Sequence, residues 1–364
     1  MQIDVITSRD ELATIRDEWE RLPRPSVMQS PAWLLAWWNV YNRSNSQLSV
    51  VAVRDGVKLI GLAPWYTEST RSSCRLRWMG DGRACSDHAT ILCESEHQAQ
   101  VARTIADWMV NAEADSWQQF VLDSVDDDDT MLSQLVDQLA DRGCPISHQQ
   151  EPGSCYVELS TTWDEYLASV SKNHRKKCRR YFKQFFATGK ARVEVFNTAD
   201  ACAEAFDLMA KLHNDRRRAV GDEGAFTEPR FRAFHRSAIY ELAARGQLQL
   251  RVLHVDDQAV AAEYLLEEGD SLFAYQGGLS AAGEAVSAGT LSMIAMIRDA
   301  IDTGHRRLDL LRGVERYKFS WGARHRPAKT VIIRRGNAIG RIGAWRASTW
   351  SSAKKLRHRL ISSP

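Results

Sequence analysis

Two stretches of alternating apolar and polar residues, each broken by an acidic turn, restrict this 364-residue chain more than any other feature. In LSVVAVRDGVKLIGLAPWY (48–66) the break is Asp55–Gly56; in LQLRVLHVDDQAVAAEYLLEE (248–268) it is Asp256–Asp257. A period of two on either side of a two-residue turn requires a β-hairpin. Each hairpin follows helical periodicity and precedes further strand and helix segments. The first half opens with a strand, QIDVI, and a helix, SRDELATIRDEWERL, with Ser8 as N-cap and Glu11 three residues on. A second helix, PAWLLAWWNVY, starts at Pro31, where a missing N–H costs nothing. The second half runs from a strand, CYVEL, through helices over 162–188 to a strand, ARVEVF, then helices over 199–219 and 227–245. After its hairpin come SLFAYQGGL as a strand, GTLSMIAMIRDAIDTG as a helix and RRLDLL as a last strand. The order of elements recurs without a sequence repeat, which predicts a duplicated α/β architecture. The expected units are 1–152, 153–335 and a basic tail over 336–364.

Apolar residues form 44% of the chain and charged residues 26%, enough for a core in each half. A formal net charge of +2 excludes a polycation built wholesale for nucleic acid. No apolar run approaches the roughly 18–20 residues that span a bilayer, and the first residues lack a basic segment followed by an apolar one, so no signal peptide is expected. Seven cysteines without a C-x-x-C pair read as reduced thiols, and a cytoplasmic location is expected.

Four stretches carry candidate chemistry. In LFAYQGGLSAAGEAVSAGTLSMIAMIRDAI a strand ends at Gly277–Gly278 and a helix opens at Ser287, Gly289 and Thr290. Glycines admit a ligand close to the backbone, and first-turn N–H groups can hold a pyrophosphate; the same residues also read as a plain turn and N-cap. SKNHRKKCRRYFKQF (171–185) has seven cations and no acid, so it is either a basic surface helix or a partner for anions such as nucleotide phosphates, tRNA or anionic lipid. Arg216, Arg217 and Arg218 precede GDEGAF, a loop that either closes over a substrate or merely connects helices. Cys74, Cys85, His88, Cys93 and His97 lack the paired spacing of a zinc site, and no metal is expected. Phosphate-loop, hydrolase-elbow and zincin motifs are absent.

VMQSPAWLLAWWNVY, MGDGRACSDHATIL, the basic helix and FAYQGGLSAAGEAVSAGTLSMIAMIRDAIDTGHRRLDLLRGVERYKFSWGA together resemble a GNAT-type acyltransferase family. Its members include the cellulose-biosynthesis-associated acetyltransferases, relatives of the Fem peptidyltransferases. The resemblance spans about residues 20–335 with gaps, and rests on the order of segments, including Asp-x-x-x-Gly and Tyr-Lys at 309–318. It implies tandem GNAT-like lobes, each a mixed, mainly antiparallel sheet flanked by helices. It also implies an acyl-thioester donor, acyl-CoA or acetyl-CoA, with pantetheine along Tyr275–Gly278 and pyrophosphate at Ser287–Thr290. The compact phosphate loop of simple GNAT enzymes is missing, which leaves carrier protein or aminoacyl-tRNA as alternative donors. In this frame Asp309 could orient or deprotonate an acceptor amine, with Glu263 as a second candidate base in an apolar strand. Tyr317 could return a proton to the leaving thiolate, Lys318 could hold a phosphate or acidic group, and Trp321 could form an apolar wall. Arg216 joins them as a substrate contact. Each of these residues also has a purely structural reading.

The expected function is acyl transfer to an amine or hydroxyl, in exopolysaccharide or cell-envelope synthesis. The alternatives are an aminoacyl-tRNA-dependent peptidyltransferase and a non-catalytic accessory of polysaccharide assembly. Nucleic acid is not an expected partner outside the tRNA alternative. The tail, with Ile342, Trp345, Trp350 and Leu356, is either solvated or a peripheral membrane contact.

Overall fold

The structure, a computed structural model, describes residues 1–71, 73–111 and 117–336. The expected amphipathic helix of the tail therefore lies outside the described residues. β1 (Gln2–Ile6) leads to α1 (Arg9–Thr14), α2 (Arg16–Arg21) and α3 (Pro31–Tyr41), then to β2 (Ser46–Leu48), β3 (Val50–Asp55), β4 (Lys58–Ala63), β5 (Trp65–Ser69), β6 (Cys74–Trp78) and β7 (Leu92–Cys93). α4 (Gln98–Asn111), β8 (Gln119–Asp126), α5 (Thr130–Asp141) and the long β9 (Ile146–Glu158) follow. Next come α6 (Trp163–Ser169), the basic α7 (Lys172–Tyr181), β10 (Ala191–Phe196), α8 (Ala199–Ala219) and α9 (Pro229–Ala244). β11 (Leu248–Val255), β12 (Gln258–Glu268), β13 (Ser271–Leu279), α10 (Ala281–Ala285), α11 (Ala288–Asp302), β14 (Arg307–Arg312), α12 (Arg316–Ser320) and β15 (Arg324–Arg334) complete the chain. No helix among the described residues is long and apolar enough to cross a membrane.

Both hairpins form. Asp256 and Asp257 take positive φ of 48° and 61°, as the tightest two-residue turn demands. The first turn sits one residue later than expected: Asp55 pairs with Lys58, so the turn is Gly56–Val57. Ser8 and Glu11 form the reciprocal cap, but the helix that follows breaks at Ile15 into α1 and α2.

Among the described residues, eleven strands join in one sheet in the order β10-β11-β12-β13-β14-β9-β15-β8-β6-β5-β2, and β1-β3-β4-β7 form a smaller one. The sheets are mixed and mainly antiparallel, as expected for the fold class. β9 and β15, paired over most of their lengths, lie at the centre and connect the halves. Each half contains one short parallel pair behind a helical crossover: β6 with β8 across α4, and β13 with β14 across α11.

Apolar packing also crosses between the halves. Trp33 of α3 meets Phe234 and Tyr275 edge-on, with ring centroids 4.7 and 5.1 Å away. Its indole N–H donates to Ser86 Oγ at 2.8 Å. Beside this core lies a buried ionic cluster. His88 Nδ1 is 2.6 Å from Asp126, its Nε2 is 3.3 Å from Asp309, and Arg326 stands 3.4 Å from Asp309. Burial alone would discharge His88, but the two carboxylates outweigh it and raise its pKa to about 10. The folded chain thus binds this proton more tightly than the unfolded chain, whose value is near 6.5. The contribution is complete below pH 6.5 and disappears as pH rises through 10. His88→Asn, which tolerates the local positive φ, should cost about 3–5 kcal/mol at pH 7 by stranding Asp309. Denaturant melts at pH 7 and pH 10 check this: the wild-type advantage should shrink at pH 10, and a pH-independent difference would show that the charge plays no part.

Candidate functional site

β13 and β14 are hydrogen-bonded through only three rungs, Ser271–Arg307, Leu272–Leu308 and Phe273–Asp309, and then part. A bulge in the β12–β13 ladder opposite Tyr264–Leu265 accompanies the parting. Beyond it, backbone that would have completed the parallel ladder needs other partners. Side chains supply them. Asp309 Oδ1 accepts from Leu311 N–H at 2.8 Å, and Asp87 Oδ2 accepts from Arg312 N–H at 2.8 Å. The Lys318 ammonium donates to the carbonyls of Leu310, Leu311, Arg312 and Gly313 at 3.0–3.2 Å and pairs with Glu315 at 3.0 Å. Leu311 adopts φ 54°, a strained value for a branched residue that these bonds hold in place.

The opening between the strands is a cavity of about 780 Å³. β13 lines one wall over Ala274–Leu279 and β14 the other over Leu310–Arg312, while the first turn of α11 and Met293 and Met296 face it from below. Lys177 and His174 of α7 and Arg216 of α8 stand at its edge. His174 packs edge-on against Trp321 with centroids 4.4 Å apart, and its Nε2 is buried without a partner.

Gly277 and Gly278 are strand residues and form no turn. A Cβ on Gly277 would come 2.5 Å from Glu263 Oε2, and one on Gly278 would meet the backbone of α8 at 2.7–2.8 Å. The first glycine thus makes room for a carboxylate and the second for a helix. Glu263, paired with Gly277 across the β12–β13 ladder, faces the cavity. Burial pushes its pKa up to about 7, although Ser292, Arg251 and Arg216 favour the charged form. Tyr317 is 55% exposed on the cavity rim. Its hydroxyl is pushed to about 12 by desolvation and the charges of Glu315 and Glu263, so it stays a proton donor at neutral pH.

Eight further residues of the sequence expectations are placed as follows. Ser287, Gly289 and Thr290 open α11 at the cavity, with Ser287 at φ 58° and its Oγ accepting from Tyr181 at 3.1 Å. Trp321 is a buried wall, and Arg216 is an exposed rim cation 3.6 Å from Glu284. Tyr275 sends its ring away from the cavity: its hydroxyl donates to Ala84 O at 2.7 Å, so only its backbone faces a ligand. Lys318, expected to hold a phosphate or acidic group, is 3% exposed and its ammonium is committed to the β14 loop. Asp309, expected to meet an acceptor amine, is 1% exposed and off the cavity wall. Burial would raise its pKa, yet His88, the Leu311 N–H and Arg326 hold it below the ordinary range. Among the described residues, Glu94, Glu96 and His97 are the group of His, Cys, Asp or Glu side chains whose ligand atoms lie within 4.8 Å of one another. Sequence reading assigned no role to Asp87, which pairs at 2.6 Å with Arg312, the residue that the structural reading of Asp309 had paired with Asp309, although Asp87 lay within the quoted Ser-Asp-His step.

Residues 172–319, which supply most of the lining of this cavity, match the family described as "Acetyltransferase (GNAT) domain". No curated protein matches the chain. Among solved structures, FemX is similar at a TM-score of 0.62 and 12% identity, over 91% of this chain and 97% of that one. A conserved protein of unknown function from Bacteroides thetaiotaomicron VPI-5482 gives 0.56 and 12% over 92% and 100%. The C-terminal domain of a putative lysylphosphatidylglycerol synthetase from Agrobacterium fabrum gives 0.54 and 12% over 93% and 96%. At these identities the likeness is one of fold.

Replacing Lys318 by Met keeps the stem and removes the donor that serves four carbonyls. The expected loss is about 2–4 kcal/mol, since part of the loop is open to water. Lys177→Met, on the exposed rim, should change stability by less than about 0.5 kcal/mol. Urea denaturation of both variants decides the matter; equally small losses would mean that the buried ammonium does not hold the loop.

Proposed function

We propose that this chain is an acyltransferase that moves an acyl group from acyl-CoA, acetyl-CoA included, to an amine or hydroxyl acceptor. The observation that carries the reading is Glu263: a carboxylate with its pKa raised to about 7, on the wall of a cavity opened by two parting parallel strands. A base poised near neutrality suits removal of a proton from an incoming nucleophile. The open edge of β13 leaves alternate N–H groups free for a pantetheine arm and for an oxyanion. The N-terminus of α11, with Lys177 and Arg216 nearby, suits a pyrophosphate.

In the step itself, the acceptor proton passes to Glu263 as nitrogen or oxygen attacks the thioester carbonyl. The tetrahedral oxyanion meets backbone N–H groups. Collapse breaks the C–S bond, and the thiolate takes its proton from Tyr317. Trp321 provides an apolar wall beside the thioester. Asp309 and Lys318 hold β14 in this reading and touch neither substrate. Residues 1–152 and 153–335 serve as the two lobes, in a cytoplasmic protein. The place near the cellulose-biosynthesis-associated acetyltransferases, and with it exopolysaccharide or cell-envelope synthesis, rests on the sequence resemblance.

An aminoacyl-tRNA donor is the second reading, and α7 favours it. Of its cations, Lys172, Lys176, Lys177, Arg179 and Arg180 are exposed, Lys177 lines the cavity edge, and Arg179 meets a carboxylate, Asp164, at 3.3 Å. Phosphate tracking of that kind is salt-sensitive.

Thermal shift with acetyl-CoA, longer acyl-CoAs, free CoA and charged tRNA at two salt concentrations separates the donors. A coenzyme at 100 times its Kd should add about 2.7 kcal/mol and keep that effect at high salt. Stabilisation by tRNA alone, lost at high salt, selects the second reading; no response to any donor selects the non-catalytic accessory. With the donor in hand, thiol release in the presence of an amine panel should rise with pH through about 7. Glu263→Gln should remove that step and lower the rate by about 10²–10⁴. A variant with the wild-type pH profile would exclude Glu263 as the base.

A further inference from the structure

The device that opens the donor cavity occurs twice. In the first half β6 and β8 share two parallel rungs, Arg75–Gln119 and Leu76–Phe120, and then part. Ser124 takes φ 55° in β8 as Leu311 takes φ 54° in β14. Two adjoining recesses of about 280 and 210 Å³ open there, and they share Ser124, Glu151 and Arg312. Asp87 and Arg312, locked together, border both this space and the donor cavity. The two openings are thus neighbours with one wall in common.

Their charge balances differ. The donor cavity sets four carboxylates, Asp87, Glu263, Glu284 and Glu315, against four cations, Lys177, Arg216, Arg312 and Lys318. The recesses are bordered by six carboxylates, Asp81, Asp87, Asp123, Asp126, Glu151 and Glu315, against the cations Arg312 and His88. Most of these acids are committed: Asp81 and Asp123 to Arg77, Asp87 to Arg312, Asp126 to His88, Glu315 to Lys318. Glu151 accepts from Thr330 Oγ1 at 3.0 Å, and among the described residues no cation meets it. Beside it Ser154, 4% exposed, lines the recess with a hydroxyl that has no partner. A carboxylate that has one hydroxyl donor and no cation, beside a hydroxyl with no partner, has unused acceptor capacity. An ammonium group brings three donors and a positive charge.

We propose that this recess anchors an ammonium group of the acceptor. The inference rests on the acyl-transfer reading and deepens it by naming the substrate class. The wall formed by Asp87 and Arg312 separates the recess from Glu263, so the anchored ammonium is not the reacting atom. The acceptor carries a second amine or a hydroxyl, which reaches the thioester while the first is held by Glu151 and Ser154. A diamine or an amino alcohol has this chemistry.

Isothermal titration of the full chain with 1,5-diaminopentane, 1,5-pentanediol and glutarate tests the proposal, with CoA titrated in parallel. The diamine should bind and the diol and diacid should not. Glu151→Gln and Ser154→Ala should each weaken the diamine about tenfold or more, as loss of a bond to a charged group predicts, and leave CoA binding unchanged. An equal response to the diol, no diamine binding, or unaltered binding in Glu151→Gln would overturn the proposal. Diamine binding without any CoA binding would strike the donor reading alone and leave the recess as an amine site.

Discussion

The parting of β13 from β14 after Phe273 and Asp309 is the constraint on which the candidate site depends. A strand that leaves its neighbour exposes N–H and C=O groups, and burying them unpaired would cost about 1–3 kcal/mol each. The chain meets that demand with side chains of both signs. Carboxylates from Asp309 and Asp87 take two N–H groups, and the single ammonium of Lys318 takes four carbonyls. An acid ahead of the bend and a lysine behind it in DLLRGVERYKFSWGA are therefore first of all the means of keeping the strand away from its partner. The space they keep open is where the donor would lie.

Because Asp87 belongs to the first half, the opening cannot be maintained by the second half alone. Residues 80–88 reach across to β14 through Asp87 and His88, and to β13 through the carbonyl of Ala84. Trp33 packs on Tyr275 from the same side. The duplicated order of elements thus has a physical counterpart: one half's loop supplies the hydrogen-bond partners that the other half's parted strand lacks. β9 and β15 make the connection continuous at the level of the backbone.

Alternation and caps made the regular elements legible. α3, β10, α8 and β13 lie where periodicity, Pro31 and the flanking turns put them. β15 escaped because RHRPAKTVIIR places four cations and Pro327 in a strand that is central to the sheet, against the ordinary preference for proline at edges. Its ladder has an irregularity at Arg326–Ala328, which relieves the missing N–H. β9 was read short for a similar reason, since HQQEPG looks like a loop and is half of a long strand. At the site, the sequence brought Glu263, Tyr317, Trp321 and the start of α11 to one cavity, because strand ends and helix starts are local properties. It could not say where an ammonium points. Lys318 looked available for a phosphate, yet its nearest acceptors are backbone carbonyls five to eight residues earlier. Tyr275 faces inward for an equally non-local reason, a carbonyl 191 residues away in sequence.

The two acids of the second half show why burial alone does not identify a base. Asp309 and Glu263 both lie in β-strands with apolar neighbours, and desolvation is the largest influence on each. Asp309 meets the His88 imidazolium, a backbone N–H and Arg326, and together these outweigh burial and keep it ionised. Glu263 sits over the bare backbone of Gly277 with weaker compensation, so burial prevails and its proton is shared evenly with water near pH 7. A carboxylate held well below neutrality has little affinity for a substrate's proton, and one buried in an ionic cluster cannot meet a substrate at all. A carboxylate near 7 on a cavity wall has both the affinity and the access. The contrast supports Glu263 as the base and Asp309 as the residue that keeps the base's cavity open.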